Sequence, residues 1–223
     1  MRQADRLATL GRMAANIAHE VRNPLASLSG AVEALKCSDV VGTTRARLTE
    51  IVVRESGRLS DIIGTFLQYA HPAPLVVERI DAAAVLNDVV GALSPHVCSD
   101  GVKIVRVFPA SLPLEADRER FRQVVWTLCI SALGAMPSGG ELRVAAQRRG
   151  GMLEFTVADT GDGISPDDLS HAFEPFFATR RDVAGLGFAL VHRIVQEHGG
   201  DVTVHSEGGL GAEFTLRFPE RHA

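Results

Sequence analysis

The first third of the chain carries apolar residues at alternating steps of three and four. This spacing continues without a break over Leu7–Leu35 and returns over Leu48–Tyr69, where only Glu55 interrupts it. Such a period places one apolar stripe along a helix. The segment between the two runs, Cys37–Thr44, contains Ser, Asp, Gly and Thr, which are typical of a turn. The pattern therefore predicts a helical hairpin over residues 1–72.

An isolated hairpin of this length is expected to bury too little apolar surface to be stable. Two copies of the hairpin could pack their apolar stripes against each other and form a four-helix bundle. We therefore predict that residues 1–72 form a homodimer.

The pattern changes after the segment His71–Pro74, in which two prolines disfavour helix. Five later segments have the pattern of strands: Val102–Phe108, Glu141–Arg148, Met152–Ala158, Asp201–Ser206 and Ala212–Phe218. In one of them, Leu153, Phe155 and Val157 alternate with polar residues. Helical patterns occur at Asp81–Leu93, Arg118–Met136 and Leu186–His198. This mixture predicts an α/β two-layer sandwich over residues 75–220. The chain as a whole is expected to be α+β.

Composition narrows the function classes. The chain has 223 residues, of which 46% are hydrophobic, and a formal net charge of -4. Residues 1–72 hold 9 basic and 7 acidic side chains, a net of +2, which leaves 14 and 20, a net of -6, in the remainder. This balance predicts no nucleic-acid partner.

The cysteines and the lengths of the apolar runs indicate the cellular compartment of the chain. Cys37, Cys98 and Cys129 are odd in number and form no CxxC pair, which argues against a disulfide framework or a zinc site. No apolar run reaches the roughly 18–20 residues that a membrane span needs. We expect no membrane contact from this segment and a cytoplasmic location, either alone or as part of a longer sensor protein.

His19 lies on the outward face of the first predicted helix, because Val21 belongs to the apolar stripe. A solvated surface histidine is the simplest interpretation. Its neighbours favour a functional one: Glu20 is adjacent, and Asn23 follows one turn later on the same face. Pro24 lies inside the otherwise unbroken apolar stripe and should bend the helix just after His19. A proline inside a helix costs about 3 kcal/mol or more.

The segments Leu10–Ala14 and Ala18–Leu25 resemble the phosphoacceptor box of sensor histidine kinases. The resemblance implies that His19 accepts the γ-phosphoryl group of ATP and that Glu20 orients its ring as a base. It also implies that Asn23 positions water when an aspartyl phosphate on a partner is hydrolysed.

A second resemblance concerns the nucleotide. Asp159–Ile164 follows a predicted strand, and a DxGxG sequence alone could be a plain turn. Followed by Phe173–Arg180 and Gly185–Val191, it resembles the ATP site of histidine kinases and Hsp90-like ATPases. The resemblance implies that Asp159 accepts a hydrogen bond from the adenine amino group. It assigns further ATP contacts to Thr127, Gly161, Gly163, Ile164, Phe176, Arg180, Gly185, Leu186, Gly187 and Thr215.

Gln123–Leu133 aligns with the family's box of two asparagines, but Thr127 and Ser131 stand in their places. The second asparagine normally gives its oxygen to Mg²⁺, so Ser131 is the candidate for that position. A serine hydroxyl is shorter and could ligate only after a shift of the helix or the ion, or through water. Val183-Ala184 also stands where the family has another glycine before Gly185.

Two classes of function remain open. The first is an ATP-dependent histidine kinase core that phosphorylates His19 and passes the group to an aspartate of a response regulator receiver domain. The second is a degenerate kinase with weak or no ATP turnover. It would act as a phosphotransfer or scaffold module, or as a regulator phosphatase that uses Asn23.

Overall fold

The computed structural model of the protein describes residues 21–36, 42–70, 74–175 and 186–220. It divides the chain into two compact units, Met1–Ala73 and Pro74–Ala223. The division falls within the proline-containing segment His71–Pro74.

The N-terminal unit is the predicted helical hairpin. Helix α1 covers residues 21–35 of the described part, and α2 covers Thr43–Ala70. The less exposed positions keep the predicted spacing of three and four: Val21, Pro24, Leu28, Ala31 and Leu35 on α1, and Leu48, Val52, Glu55, Leu59 and Ile62 on α2. Because α2 already begins at Thr43, the predicted turn extends two residues too far.

Glu55 is a buried carboxylate within this apolar stripe, and only 7% of it is exposed. Arg54 approaches one carboxylate oxygen at 3.0 Å and Arg58 the other at 3.9 Å. A buried charge without a partner would be strongly unfavourable. The two arginines of the same helix therefore explain how the stripe tolerates its single interruption.

The C-terminal unit contains a five-stranded sheet in the order β2-β4-β5-β7-β6. Its strands are β2 (Val102–Val107), β4 (Gly140–Arg149), β5 (Met152–Asp159), β6 (Asp201–Glu207) and β7 (Gly211–Pro219). The β2–β4 pair is parallel and the other pairs are antiparallel. A separate antiparallel pair, β1 (Glu78–Asp81) and β3 (Pro113–Ala116), was not predicted because each strand has only four residues.

Three long helices cover one face of the five-stranded sheet. The helices of this unit are α3 (Ala82–Asp100), α4 (Arg118–Gly134), the short α5 (Pro166–Leu169) and α6 (Gly187–Glu197). Residues of α3, α4 and α6 share one hydrophobic core with the inward residues of the strands. The two-layer sandwich is therefore confirmed. The predicted end of α3 at Leu93 is wrong, because the helix continues to Gly101, which caps it with φ 68°.

His198 belongs to this core rather than to a ligand site. Its Nδ1 lies 2.7 Å from the Ile194 carbonyl oxygen, and its Nε2 accepts from the Asp117 backbone N–H at 3.0 Å. These partners require a neutral ring with the proton on Nδ1. The ring also packs edge-on against Phe218. The histidine thus joins α6 to the start of α4.

Asp81 caps α3, and its loss should destabilise this unit. Oδ1 accepts from the Leu112 N–H at 2.8 Å and from the Ala83 N–H at 3.0 Å, and the Leu112 bond above all lowers the pKa of Asp81. Asp81→Ala should reduce the free energy of unfolding by about 1–3 kcal/mol at neutral pH. Urea unfolding measures this change.

The pH dependence tests the cause. A depressed folded-state pKa adds stability above the unfolded value of 3.8 and loses it as the pH falls through the folded value. The deficit of Asp81→Ala should therefore shrink at about pH 3. Asp81→Asn, which keeps the acceptor oxygen but not the charge, should lose only the pH-dependent part. Equal deficits of Asp81→Ala at both pH values would contradict the assignment.

No helix in the described ranges combines the length and the apolar character needed to cross a bilayer.

Candidate functional site

The centre of the candidate site is the turn that follows β5. Asp159 is the last residue of β5 and is 7% exposed. Strand alternation places it on the helix-covered face together with Phe155 and Val157, which belong to the core. Its Oδ1 accepts from the Gly161 N–H at 2.9 Å. The carboxylate is therefore fixed at the rim of the core by its own turn.

Two glycines of this turn permit close backbone approaches. A Cβ on Gly161 would overlap the carbonyl oxygen of Ala135, and one on Gly163 would overlap that of Glu207. Gly163 also has φ 74°, which disfavours other residues. Packing alone thus requires glycine at both positions, whatever the turn binds.

Hydrogen bonds hold the turn from two sides. The Asp162 N–H donates to the Ala135 carbonyl at the end of α4 at 3.2 Å. The Ile164 N–H donates to Ser206 Oγ at 2.7 Å, and that hydroxyl donates to the Gly211 carbonyl at 2.6 Å. The Ile164 side chain is buried. The turn is therefore preorganised by α4 and the β6–β7 hairpin.

Helix α4 presents Thr127, Ser131 and Ala135 at intervals of four residues, which places them on one face. The last of them contacts the Gly161 turn. Ser131 is 7% exposed, and within the described ranges its Oγ has no hydrogen-bond partner. A buried unpaired hydroxyl costs about 1–3 kcal/mol. This atom therefore favours a bound water, ion or ligand beside the turn.

Helix α6 begins next to residues outside the described ranges. Leu186 is fully buried at its N-cap position and provides no side-chain cap, and Gly187 is the first helical residue. The first backbone N–H groups of a helix lack intrahelical acceptors and carry positive partial charge. An uncapped start of this kind is suited to a phosphate group.

Several predicted site residues lie outside the described residues: His19, Glu20, Phe176, Arg180 and Gly185. Their roles remain predictions. Asn23 is described and is exposed on α1.

Thr215 does not belong to this site, and the prediction that it lines the nucleotide pocket is wrong. Its side chain lines a groove on the sheet face opposite the helices. The β7 residue paired with Asp159 is Ala212, which is buried in the helix-covered core. Residues three apart in a strand point to opposite faces. The residue of β7 that shares the sheet face of Asp159 is therefore Ala212, and strand alternation would have identified it as the candidate for the nucleotide pocket.

Sequence reasoning also missed Ser206, which links Ile164 to Gly211. Its only sequence signal is its position at the end of a predicted strand, before the turn residues Gly208 and Gly209. That signal indicates a turn and does not indicate a contact with residue 164.

Cys129 contributes no reactive group. The thiol is buried on α4, and burial raises its pKa to about 12. It therefore stays protonated near neutral pH and is unsuited to nucleophilic or metal-binding chemistry.

The donor set fits an adenine nucleotide with Mg²⁺. A buried carboxylate can accept from an amino group of the base, and hydrogen bonds within the protein already hold the turn that carries it. In the described part of the chain, no group of three or more His, Cys, Asp or Glu side chains could hold a metal ion. Mg²⁺ commonly binds through few protein oxygens and the phosphates of its substrate, so the Ser131 hydroxyl and a nucleotide together could accommodate it.

Comparison with protein families agrees with this geometry. Residues 9–73 match the His Kinase A (phospho-acceptor) domain. Residues 116–222 match the histidine kinase-, DNA gyrase B- and HSP90-like ATPase family. The two matches occur in the order expected from the sequence.

Individual relatives share most of the chain. Sensor histidine kinase ZraS of Escherichia coli K12 is 32% identical over 220 residues, which are 98% of this chain and 47% of that protein. Signal transduction histidine-protein kinase AtoS of the same strain is 32% identical over 223 residues, 98% of this chain and 36% of AtoS. The chain therefore spans about half the length of these relatives or less.

Solved structures extend the similarity to three dimensions. Histidine kinase ThkA, in complex with response regulator protein TrrA, is 25% identical with a TM-score of 0.84, over 99% of this chain and 65% of that one. Full-length ShkA in complex with AMPPNP is 29% identical with a TM-score of 0.69, over 95% of this chain and 46% of that one. With both family matches in one chain, the protein belongs to the sensor histidine kinase family, of which it carries the phosphoacceptor hairpin and the ATPase-type domain.

Proposed function

We propose that this chain is the kinase core of a two-component sensor. It binds ATP at the Asp159 turn, phosphorylates His19 and passes the phosphoryl group to an aspartate of a response regulator receiver domain. The observation that carries this proposal is the buried, preorganised Asp159 carboxylate in a chain that also matches the phosphoacceptor family. The ShkA and ThkA structures, with AMPPNP and a response regulator respectively, support the choice of ligand and partner.

In the nucleotide site, Asp159 accepts a hydrogen bond from the adenine amino group. Gly161 and Gly163 let the backbone approach the base, and Ile164 provides an apolar contact. Leu186 and Gly187 place the uncapped start of α6 near the phosphates.

Four further residues complete the proposed nucleotide contacts. Thr127 adds a hydroxyl from α4. Phe176, Arg180 and Gly185 belong to the segment before α6, where Arg180 provides a cation for the phosphates. Mg²⁺, held with the help of Ser131, neutralises charge on the β- and γ-phosphates when bound.

At His19, a ring nitrogen lone pair attacks the γ-phosphorus. A phosphorus–nitrogen bond forms, the bond to the β–γ bridging oxygen breaks, and ADP leaves. An unperturbed imidazole has a pKa of about 6.5 and is largely neutral in the cell. Glu20 accepts the proton of the other ring nitrogen. The phosphoryl group then moves to the regulator aspartate, and Asn23 positions water when that aspartyl phosphate is hydrolysed.

The hairpin supports a homodimer through its remaining apolar surface. Large apolar side chains stay exposed on both helices, with Val53 67% exposed. The others are Leu25, Val32, Ile63 and Leu67. Pairing with a second hairpin would cover such side chains in a four-helix bundle. We place the dimer in the cytoplasm, without nucleic-acid or membrane contact from this segment.

The direct experiment is incorporation of label from γ-labelled ATP into the wild-type chain with Mg²⁺. The label should be lost in acid and retained in base, as expected of a phosphorus–nitrogen bond. Calorimetry with a non-hydrolysable ATP analogue runs in parallel. Binding without label would reject the kinase and favour the phosphotransfer or phosphatase alternative.

Ser131 favours that alternative more than any other described residue, because a serine hydroxyl reaches less far than an asparagine side chain. Ser131→Asn should strengthen the Mg²⁺ dependence of nucleotide binding and raise the labelling rate of His19 about tenfold. The matched control is Ser170→Asn, an exposed serine after α5. An unchanged Mg²⁺ titration in Ser131→Asn would show that this position does not contact the metal.

A further inference from the structure

A trough crosses the face of the five-stranded sheet that points away from the helices. Its floor consists of short side chains that are direct neighbours in the strand register: Ala145, Thr156, Thr215 and Thr203, from β4, β5, β7 and β6. All four line a cavity of about 710 Å³. We call this feature the outer trough.

Longer side chains form its walls, because they occupy the neighbouring rows of the same register. One wall contains Arg143, Glu213 and His205, and the other contains Gln147, Glu154 and Arg217. Val107, the β2 neighbour of Ala145 in the register, and Pro109 close the end at β2. The trough therefore runs across the strands rather than along them.

One wall is neutralised internally. Arg217 approaches Glu154 at 3.2 Å and Asp201 at 3.8 Å. Gln147 Nε2 also donates to Glu154 at 3.0 Å, and this bond, with those from Arg217, lowers the pKa of the Glu154 carboxyl. Glu154 is therefore ionised and already bound, so Arg217 adds little free positive charge.

The two arginines of β4 are different. Among the described residues, Arg143 and Arg149 make no ion pair, although the charge of Arg149 helps to lower the pKa of the Glu154 carboxyl. Arg106 pairs with the core residue Val144 and donates to Asn87 of α3, so its side chain lies on the helix-covered face. Glu213 is the one trough carboxylate without an ion pair in those ranges. Two guanidinium groups of β4 thus face one free carboxylate in the trough, in a part of the chain whose net charge is -6.

The dimensions fit an extended segment of chain. Five strands about 4.8 Å apart give a trough about 19 Å long, which matches about six extended residues at 3.3 Å each. Pockets for small molecules are mostly apolar and enclosed. This trough is open, and hydroxyls, an amide, carboxylates and guanidinium groups line it beside several apolar side chains. Arginine is enriched at interfaces between proteins.

We propose that the outer trough binds an extended acidic segment of a partner protein. Carboxylates of that segment pair with Arg143 and Arg149, and its backbone lies against the threonine hydroxyls of the floor. The trough and the Asp159 turn lie on opposite faces of the sheet, so this binding does not rest on the proposed kinase activity.

The test uses the full chain and a fluorescein-labelled hexaglutamate peptide, with fluorescence anisotropy at low salt. We expect saturable binding, no binding of hexalysine, and about tenfold weaker binding of hexaglutamate by Arg143→Glu. The matched control is Lys103→Glu, which makes the same charge change at an exposed β2 residue outside the trough. It should change the affinity less than threefold. Equal weakening by both variants would overturn the proposal, because it would show only a response to net charge.

A variant that fills the floor tests the trough itself. Thr156→Phe removes space without changing charge and should also weaken binding about tenfold. If it lowers the unfolding temperature, Ala145→Leu fills the same floor from β4. Unchanged affinity in a folded floor variant would overturn the proposal. So would displacement of the peptide by AMPPNP, which would place it in the nucleotide site.

Discussion

His19→Ala should abolish transfer of the γ-phosphoryl group to the chain and leave nucleotide affinity unchanged. The imidazole is the proposed nucleophile, and removing a nucleophile typically costs about 10⁴-fold or more in rate. The proposed nucleotide contacts belong to the C-terminal unit, so binding of AMPPNP should match wild type. Incorporation of label from γ-labelled ATP measures the first effect, and calorimetry measures the second.

A matched histidine variant controls for general damage. His171→Ala removes an exposed histidine whose Nδ1 lies 3.0 Å from Glu174, and it should retain the label. Label that persists in His19→Ala and is still lost in acid would place the phosphoacceptor at another histidine. Loss of nucleotide binding in His19→Ala would show that the two units do not function separately.

The sheet and the long helices could be predicted from the sequence because their periods are distinct. The pair Met152–Asp159 and Gly211–Pro219 lies within two residues of the predicted strands. The missed elements lack such a signal. β1 and β3 are too short to show alternation, and α3 continues beyond Leu93 until Gly101 ends it.

The site was predictable in part for a related reason. The Asp159 turn is local, so a short stretch of sequence is enough to recognise it. The contacts that hold the turn come from Ala135, Glu207 and Ser206, which are distant in sequence. Thr215 was assigned to the wrong face of the sheet because the strand register was not considered. A shift of three residues along a strand moves a side chain to the other face.

Asp159→Asn should weaken ATP binding about 10- to 100-fold and reduce the preference for ATP over GTP. Hydrogen bonds to a charged group contribute about 1.5–3 kcal/mol, and the carboxylate would accept from the adenine amino group. Guanine has a carbonyl oxygen at that ring position, which an ionised carboxylate repels. An asparagine amide can donate to that carbonyl, so GTP should lose less affinity than ATP. Calorimetry with non-hydrolysable analogues of both nucleotides measures the two affinities.

Asp159→Asn distinguishes two roles of this side chain, recognition of the adenine base and stabilisation of the turn. Its amide oxygen can still accept from the Gly161 N–H, which Asp159 binds at 2.9 Å. Asp159→Ala leaves that N–H without this acceptor and should weaken both nucleotides alike. Asp162→Asn, an exposed neighbour in the same turn, is the control and should change neither affinity. If Asp159→Asn weakened the binding of ATP and GTP equally, the carboxylate would act by holding the turn and not by hydrogen bonding to the base.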